Sequence, residues 1–198
     1  MSSTNMPDWQ NPCPALITAL CARDTYTRGH CDRVHRLALA MGEAAKLSAS
    51  SLDALRIASQ LHDVGKIGVR DRVLLKPGGL TPEEWEEMKT HSTIGERIVK
   101  AVLLPNAAEV ASIVRHHHES FDGSGYPDGL AGTQIPRACR ILLVVDAYDA
   151  MTTGRPYHSA RSHDETMSIL SEEAGTKLDP DMFSLFSAVI ENSSCRAR

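Results

Sequence analysis

Five histidines sit on or at the end of apolar helical segments, and this placement constrains the chain more than any other feature. His30 repeats with Val34, Leu37 and Met41 at i, i+4, i+7 and i+11, one face of a helix. His62 closes a segment in which Leu52, Leu55, Ala58 and Leu61 share a face, and His117 and His118 close another carrying Val110, Ile113 and Val114. His91 lies in the helix that opens at Thr81. A lone histidine at such a place is ordinarily a satisfied core or surface residue. Several at once, together with Asp63 and Asp146, are harder to account for that way, because each buried imidazole or carboxylate costs desolvation unless it is paired or bound to a metal. One metal cluster enclosed by packed helices would satisfy them all. Asp146 sharpens the point: it follows five apolar residues, ILLVV (141–145), more than a full helical turn, so little of that helix is left for solvent. It reads as a buried ligand.

The rest of the chain agrees with helices. Aromatic residues make up 5% of it, so the core must rest on Leu, Ile, Val, Ala and Met, a composition that favours packed helices over a β-sandwich. Pro14 opens an apolar segment to about Cys21, and Ser50 or Ser51 is placed to cap the segment that ends at His62-Asp63, with Gly65 as its terminator. Thr81-Pro82-Glu83-Glu84 is a helix start with a Thr cap, Pro in the first position and Glu in the third. Further helices are expected over about 106–118, from Pro136 through RACRILLVVDAYDAMTT, and over about 163–174 and 180–191. Residues 67–80, with KPGG, and 122–136, rich in Gly, Pro and Asp, read as loops. No strand pattern and no internal repeat stand out. The expected organisation is all-α: a tail over 1–13, one domain over 14–192 and a short tail over 193–198, a size that buries a substantial core.

Charge and cysteines exclude several classes. The net charge is −4, whereas a protein binding nucleic-acid polymers non-specifically is ordinarily basic; a nucleotide ligand here needs a local positive site such as metal ions. The five cysteines (Cys13, Cys21, Cys31, Cys139 and Cys195) are odd in number and contain no C-x-x-C, which speaks against a disulfide framework or a zinc ribbon. No apolar run reaches the ~18 residues of a membrane span. The start MSSTNMPDWQNPCP has no signal-peptide stretch, so the expected compartment is the cytoplasm. No receiver or sensory segment is visible, so the chain reads as a stand-alone enzyme or as a piece of a longer protein.

His62-Asp63 is an adjacent pair at a helix end. Neighbouring helical side chains point about 100° apart, so the two can engage different sides of one ion, or the aspartate can bridge two ions through its two oxygens. Mixed imidazole and carboxylate ligands suit iron, manganese or zinc. Two such ions a few ångströms apart are a known device for phosphodiester hydrolysis, clamping phosphoryl oxygens and generating a hydroxide at neutral pH.

Beyond these two residues, HDVGKIGV (62–69), LKPGGLTPEEWEEMKTH (75–91), HHESFDGSGYPDGLAG (117–132), IPRACRILLVVDAYDAMTTGRPY (135–157) and GTKLDP (175–180) together resemble the HD-GYP phosphodiesterases of the HD hydrolase superfamily. The resemblance runs from about Leu16 to Ile190. It implies a helical bundle around a dinuclear metal site and hydrolysis of cyclic di-GMP to linear pGpG, and onward to GMP. It further implies that His30, His62, Asp63 and Asp146 bind one metal, and that Asp63 bridges to a second held by His91, His117 and His118. The two ions would be iron or manganese, with zinc as a further candidate. Lys66 matches a lysine placed near the scissile phosphate, and Arg155 matches a position that contacts a substrate phosphate, where a guanidinium suits bidentate binding. Gly125-Tyr126-Pro127 is the GYP loop, which in the family borders the active site and also serves contacts to signalling partners; Tyr126 is carried over as a substrate contact.

His116 stands outside the HHE motif. Two departures are visible. His158 stands where relatives often carry Arg or Lys, and Tyr26 stands where members suspected of holding three metals have Glu, which points to two ions here. The competing expectations are a catalytically weak cyclic di-GMP sensor or interaction module, against which the full ligand set and Lys66 argue, and an HD hydrolase acting on another phosphoester, against which the GYP loop argues.

Overall fold

A computed structural model describes residues 14–23, 27–104, 106–154 and 159–197. Among them the secondary structure is helical, with an isolated bridge between Ala174 and Leu178 in place of any sheet. The elements are α1 (Pro14–Arg23), α2 (Thr27–Ala44), α3 (Ala49–Leu61), α4 (Asp71–Leu74), α5 (Pro82–Ala101), α6 (Ala107–His116), α7 (Arg137–Thr152), α8 (His163–Glu173) and α9 (Pro180–Ile190). No helix of the described residues is long and apolar enough to cross a membrane.

Local chemistry sets the boundaries. α5 starts as expected: Thr81 accepts from the Glu84 backbone, the Glu84 side chain returns to the Thr81 backbone at 2.8 Å, and Pro82 occupies the first position. α8 repeats the device with Ser162 and Glu165, and α9 starts at Asp179, followed by Pro180. The cap of α3 differs from expectation. Ser48 accepts the Ser51 N–H at 3.2 Å, so Ser50 and Ser51 already lie in the first turn. The 67–80 stretch is also less irregular than expected. It carries the end of a 3-10 turn (Val64–Gly68) and the single-turn α4, both too short to show a periodicity.

Apart from Leu52, which is half-buried and outside the cluster, the residues that the apolar spacing picks out form the core. Val34, Leu37 and Met41 of α2, Leu55, Ala58 and Leu61 of α3, Val110, Ile113 and Val114 of α6, and Ile141, Leu142, Val144 and Val145 of α7 are all buried in one cluster. α2 packs against α3 and α7, α3 against α6, α6 against α5, and α9 closes the bundle over α2 and α7. The segment after α3 presses on α5 so closely that a Cβ on Gly65 would lie 1.8 Å from the His91 carbonyl oxygen; only glycine permits that approach. At the far end, Cys195 and Ala197 pack on the core, and the Ala197 N–H donates to the Tyr148 hydroxyl at 3.0 Å. The expected tail over 1–13 lies outside the described residues.

Candidate metal centre

The helix ends and faces deliver their histidines to one cleft. His30 comes from the first turn of α2, His62 from the end of α3, His91 from the middle of α5, and His117 and His118 from the end of α6. Asp63 follows His62, and Asp146 comes from α7. The ligand atoms of His91, His117 and His118 lie within 4.8 Å of one another, and so do those of His30, His62 and Asp63. Asp146 joins the second trio, with an oxygen 3.2 Å from His30 Nε2 and 3.8 Å from His62 Nε2. The structure thus brings together all seven residues expected around a metal. Lys66 stands beside them, its Nζ 2.7 Å from Asp63 Oδ2. Arg155, His158 and Tyr26 lie outside the described residues.

Four of the five rings are held from behind. His62 Nδ1 donates to the Ser59 carbonyl at 3.0 Å, His91 Nδ1 to Met88 at 2.8 Å and His117 Nδ1 to Val114 at 2.7 Å. Every acceptor lies three residues earlier, so helical geometry itself orients the imidazole. His30 Nδ1 donates instead to Asp149 Oδ2 at 2.8 Å, and Arg33 grips Asp149 through two bonds of 2.6 and 3.0 Å. With the proton on Nδ1, the Nε2 atoms of His62, His91 and His117 turn lone pairs into the cleft.

The Nε2 atoms face each other in pairs. His91 Nε2 and His117 Nε2 are 3.3 Å apart, as are His30 Nε2 and His62 Nε2. The first pair is two acceptors, which repel at that distance unless a cation lies between them; in the second, His30 carries a proton on Nε2 until an ion displaces it. Imidazole nitrogens ~2.0–2.1 Å from one ion at a tetrahedral angle stand ~3.3 Å apart, so both spacings fit a shared metal. Asp63 connects the two pairs: Oδ2 is 3.6 Å from His62 Nε2, and Oδ1 is 3.8 Å from His91 Nε2. One carboxylate therefore offers one oxygen to each group.

The two halves differ electrostatically. Burial holds His91, His117 and His118 below the ordinary imidazole range, His118 at about 3, so these rings are neutral at physiological pH. Burial acts the same way on His30, but Asp146 and Asp149 outweigh it and raise that ring to about 10. Asp63 and Asp146 lie well below the usual carboxylate range despite burial. Lys66 and the nearby imidazoles do this for Asp63, and His30 for Asp146.

Two parts of the site were not singled out from the sequence. Asp149 and Arg33, which set the His30 ring, are one; the i+3 spacing of Asp149 from Asp146 was a visible sign of the carboxylate. The other is the anchoring of the 122–136 loop. Buried Glu119 accepts the backbone N–H groups of Asp128 (2.7 Å) and Leu130 (3.0 Å). Asp128 also takes two bonds from Arg115 and one from His116. His116, Glu119 and Asp128 are close enough to hold an ion. Their bonds make them a clamp on the loop, consistent with His116 standing apart from the cluster. The clamp sets Tyr126 over His118, ring centres 4.9 Å apart and 31° from parallel. Tyr126 thus borders the cleft, as the resemblance implied.

Fold and site together define an all-α protein with a clustered imidazole–carboxylate centre. The chain belongs to the HD domain family, which it matches over residues 14–182. It is 41% identical over 164 residues to a "Cyclic di-GMP phosphodiesterase" of Thermotoga maritima, covering 83% of this chain and 45% of that protein. It is 35% identical over 162 residues to "3'3'-cGAMP-specific phosphodiesterase 3" of Vibrio cholerae, covering 82% of this chain and 35% of that protein. The chain thus spans less than half the length of these curated relatives. A crystal structure of a cyclic GMP-AMP-specific phosphodiesterase of V. cholerae superposes with a TM-score of 0.70 at 20% identity, over 91% of this chain and 48% of that one, and shares the fold.

Proposed function

We propose that this chain is a metal-dependent phosphodiesterase of the HD-GYP type. In this reading it hydrolyses cyclic di-GMP to pGpG, and onward to GMP, in the bacterial cytoplasm with two divalent ions, iron or manganese and alternatively zinc. The observation that carries the reading is Asp63, whose Oδ2 lies 3.6 Å from His62 Nε2 in one group and whose Oδ1 lies 3.8 Å from His91 Nε2 in the other. That donor set suits two mid-sized divalent ions and matches their use in phosphodiester cleavage. His30, His62, Asp63 and Asp146 would hold one ion, and Asp63, His91, His117 and His118 the other.

Such ions supply positive charge for the phosphoryl oxygens and lower the pKa of an attacking water. The protein's own groups do the rest. The Ser59, Met88 and Val114 carbonyls and Asp149 keep the imidazole protons on Nδ1, so the Nε2 lone pairs stay aimed at the cleft. Lys66, at the cleft beside Asp63, would set its ammonium against the charge that grows on the phosphate and on the departing O3′. Water's oxygen joins phosphorus, the P–O3′ bond breaks, and the proton ends on the 3′ oxygen. Arg155 would hold a phosphate oxygen, Tyr126 would line the substrate's path, and the GYP loop would offer a surface to signalling partners.

A second substrate reading has a specific basis, since a relative of similar identity is named for 3'3'-cGAMP. Protein purified without oxygen, loaded with manganese or iron and given each cyclic dinucleotide, decides between them. The proposal expects kcat/KM to be highest for cyclic di-GMP. A higher value for 3'3'-cGAMP would reassign the substrate. Binding without turnover of either would make the chain a sensor.

A further inference from the structure

Trp85 is 47% exposed on the first turns of α5, whereas the core excludes most large side chains from water. Scattered exposed apolar residues need no account, and Leu75 and Leu103 are of that kind. Trp85 is different because of what it touches. Its indole meets the Tyr126 ring edge to face at 6.2 Å, and Tyr126 lies on His118 at 4.9 Å and against His91 at 6.4 Å. A continuous aromatic path thus runs from the candidate metal centre to an open indole at the rim. A cation accompanies it: Lys89 Nζ lies 5.8 Å over the Tyr126 ring and 2.7 Å from Glu86.

Burying Trp85 against its own protein would have been more favourable than leaving half of it in water. The rim instead pairs a flat π surface with an ammonium, two ring contacts away from the imidazoles. A nucleotide whose phosphate reaches those imidazoles extends its base outward by one sugar. A purine is the flat, π-faced group that such a surface takes, and aromatic stacking accepts it without needing matched hydrogen bonds.

We infer that Trp85 is a stacking platform for one purine base of the substrate, with Lys89 beside it for the phosphate that is not being cleaved. The inference rests on the phosphodiesterase reading and adds to it a specificity-determining residue. It assigns discrimination between purine dinucleotides and simple phosphodiesters to the rim, not to the ligand cluster.

The experiment compares wild type with Trp85→Ala and Trp85→Phe on cyclic di-GMP and on methyl p-nitrophenyl phosphate, both with manganese. Base stacking on an aromatic side chain is worth about 5- to 150-fold by alanine substitution. Trp85→Ala should therefore raise KM for cyclic di-GMP by that order, with kcat changed much less. It should lower the preference for cyclic di-GMP over the small diester in proportion, and Trp85→Phe should restore most of that preference. A parallel reading comes from fluorescence, because the chain has two tryptophans, Trp9 and Trp85. In the W9F protein, rapid mixing with cyclic di-GMP should quench the remaining emission before product forms. An unchanged preference in Trp85→Ala, or equal losses on both substrates, would overturn the platform. If wild type cleaves no cyclic dinucleotide, the phosphodiesterase reading fails, and the quench alone then decides whether Trp85 meets a purine.

Discussion

The two halves of the candidate centre should respond differently to pH, one steeply and one hardly at all, and this follows from their proton inventories. His30 is raised to about 10 because Asp146 and Asp149 outweigh its burial. Between pH 7.0 and 8.5 it therefore holds a proton that an ion binding at Nε2 must displace. Below that pKa, each unit of pH rise makes the displacement tenfold easier, so metal affinity at this site should rise ~30-fold across the window, about 2 kcal/mol. Above pH 10 the gain stops. His118, at about 3, and His91 and His117, also lowered by burial, carry no such proton, so the other site should be nearly flat over the same window. Asp63 and Asp146 are already ionised and add no slope. The sign for the metal-free protein follows the same logic. The stability contributed by charged His30 is fully present below its unfolded value near ~6.5 and is lost as pH rises through about 10. The assay is anaerobic manganese titration, with free ion read from its electron paramagnetic resonance signal at pH 7.0, 7.5, 8.0 and 8.5. Two classes of site with different slopes are expected. Asp149→Asn should reduce the steep slope and weaken that site roughly 10- to 100-fold. Equal slopes at both sites, or none at either, would refute the proton assignment.

Three further outcomes are expected. Lys66→Ala should lower kcat on the order of 10²-fold with a smaller rise in KM, as a transition-state contact requires; a variant with normal kinetics and a lowered Tm would make Lys66 structural. Gly65→Ala drives a Cβ to 1.8 Å from the His91 carbonyl and 2.5 Å from the Gly95 nitrogen, both backbone atoms. It should cost about 3 kcal/mol or more in urea unfolding and weaken metal binding at the His91 group, and an unchanged midpoint would contradict the packing described. Glu119→Ala strips two part-buried loop N–H groups of their acceptor, at about 1 kcal/mol each, and should speed amide exchange across 122–131 while sparing α2 and α3.

Much of the fold was legible because helices that bury one face repeat every three or four residues. The spacing of His30, Val34, Leu37 and Met41 identified both a helix and its inward side, and the Thr81–Glu84 pattern marked a start to the residue. Short elements left no such trace. α4 and the 3-10 turn after Asp63 are single turns, and Ser48, which caps α3, has the same chemistry as Ser50 and Ser51, the residues expected there. At the site, ligand-type residues on apolar faces announced themselves by their desolvation cost. The groups that orient them did not. Main-chain carbonyls have no sequence identity, and Arg33 reaches Asp149 across 116 positions. The Arg115–Asp128 pairing is ordinary surface charge until the loop folds back, and what Glu119 holds is backbone, which the sequence does not mark.

In the proposed mechanism two ions, bridged by Asp63, serve one hydrolytic site. Cyclic di-GMP turnover measured against equivalents of manganese added to metal-free protein tests it most directly. The rate should stay low through the first equivalent, climb through the second and level at two per chain, and Asp63→Ala should abolish it at any loading. Full turnover at one equivalent, or an Asp63→Ala protein that matches wild type, would contradict it.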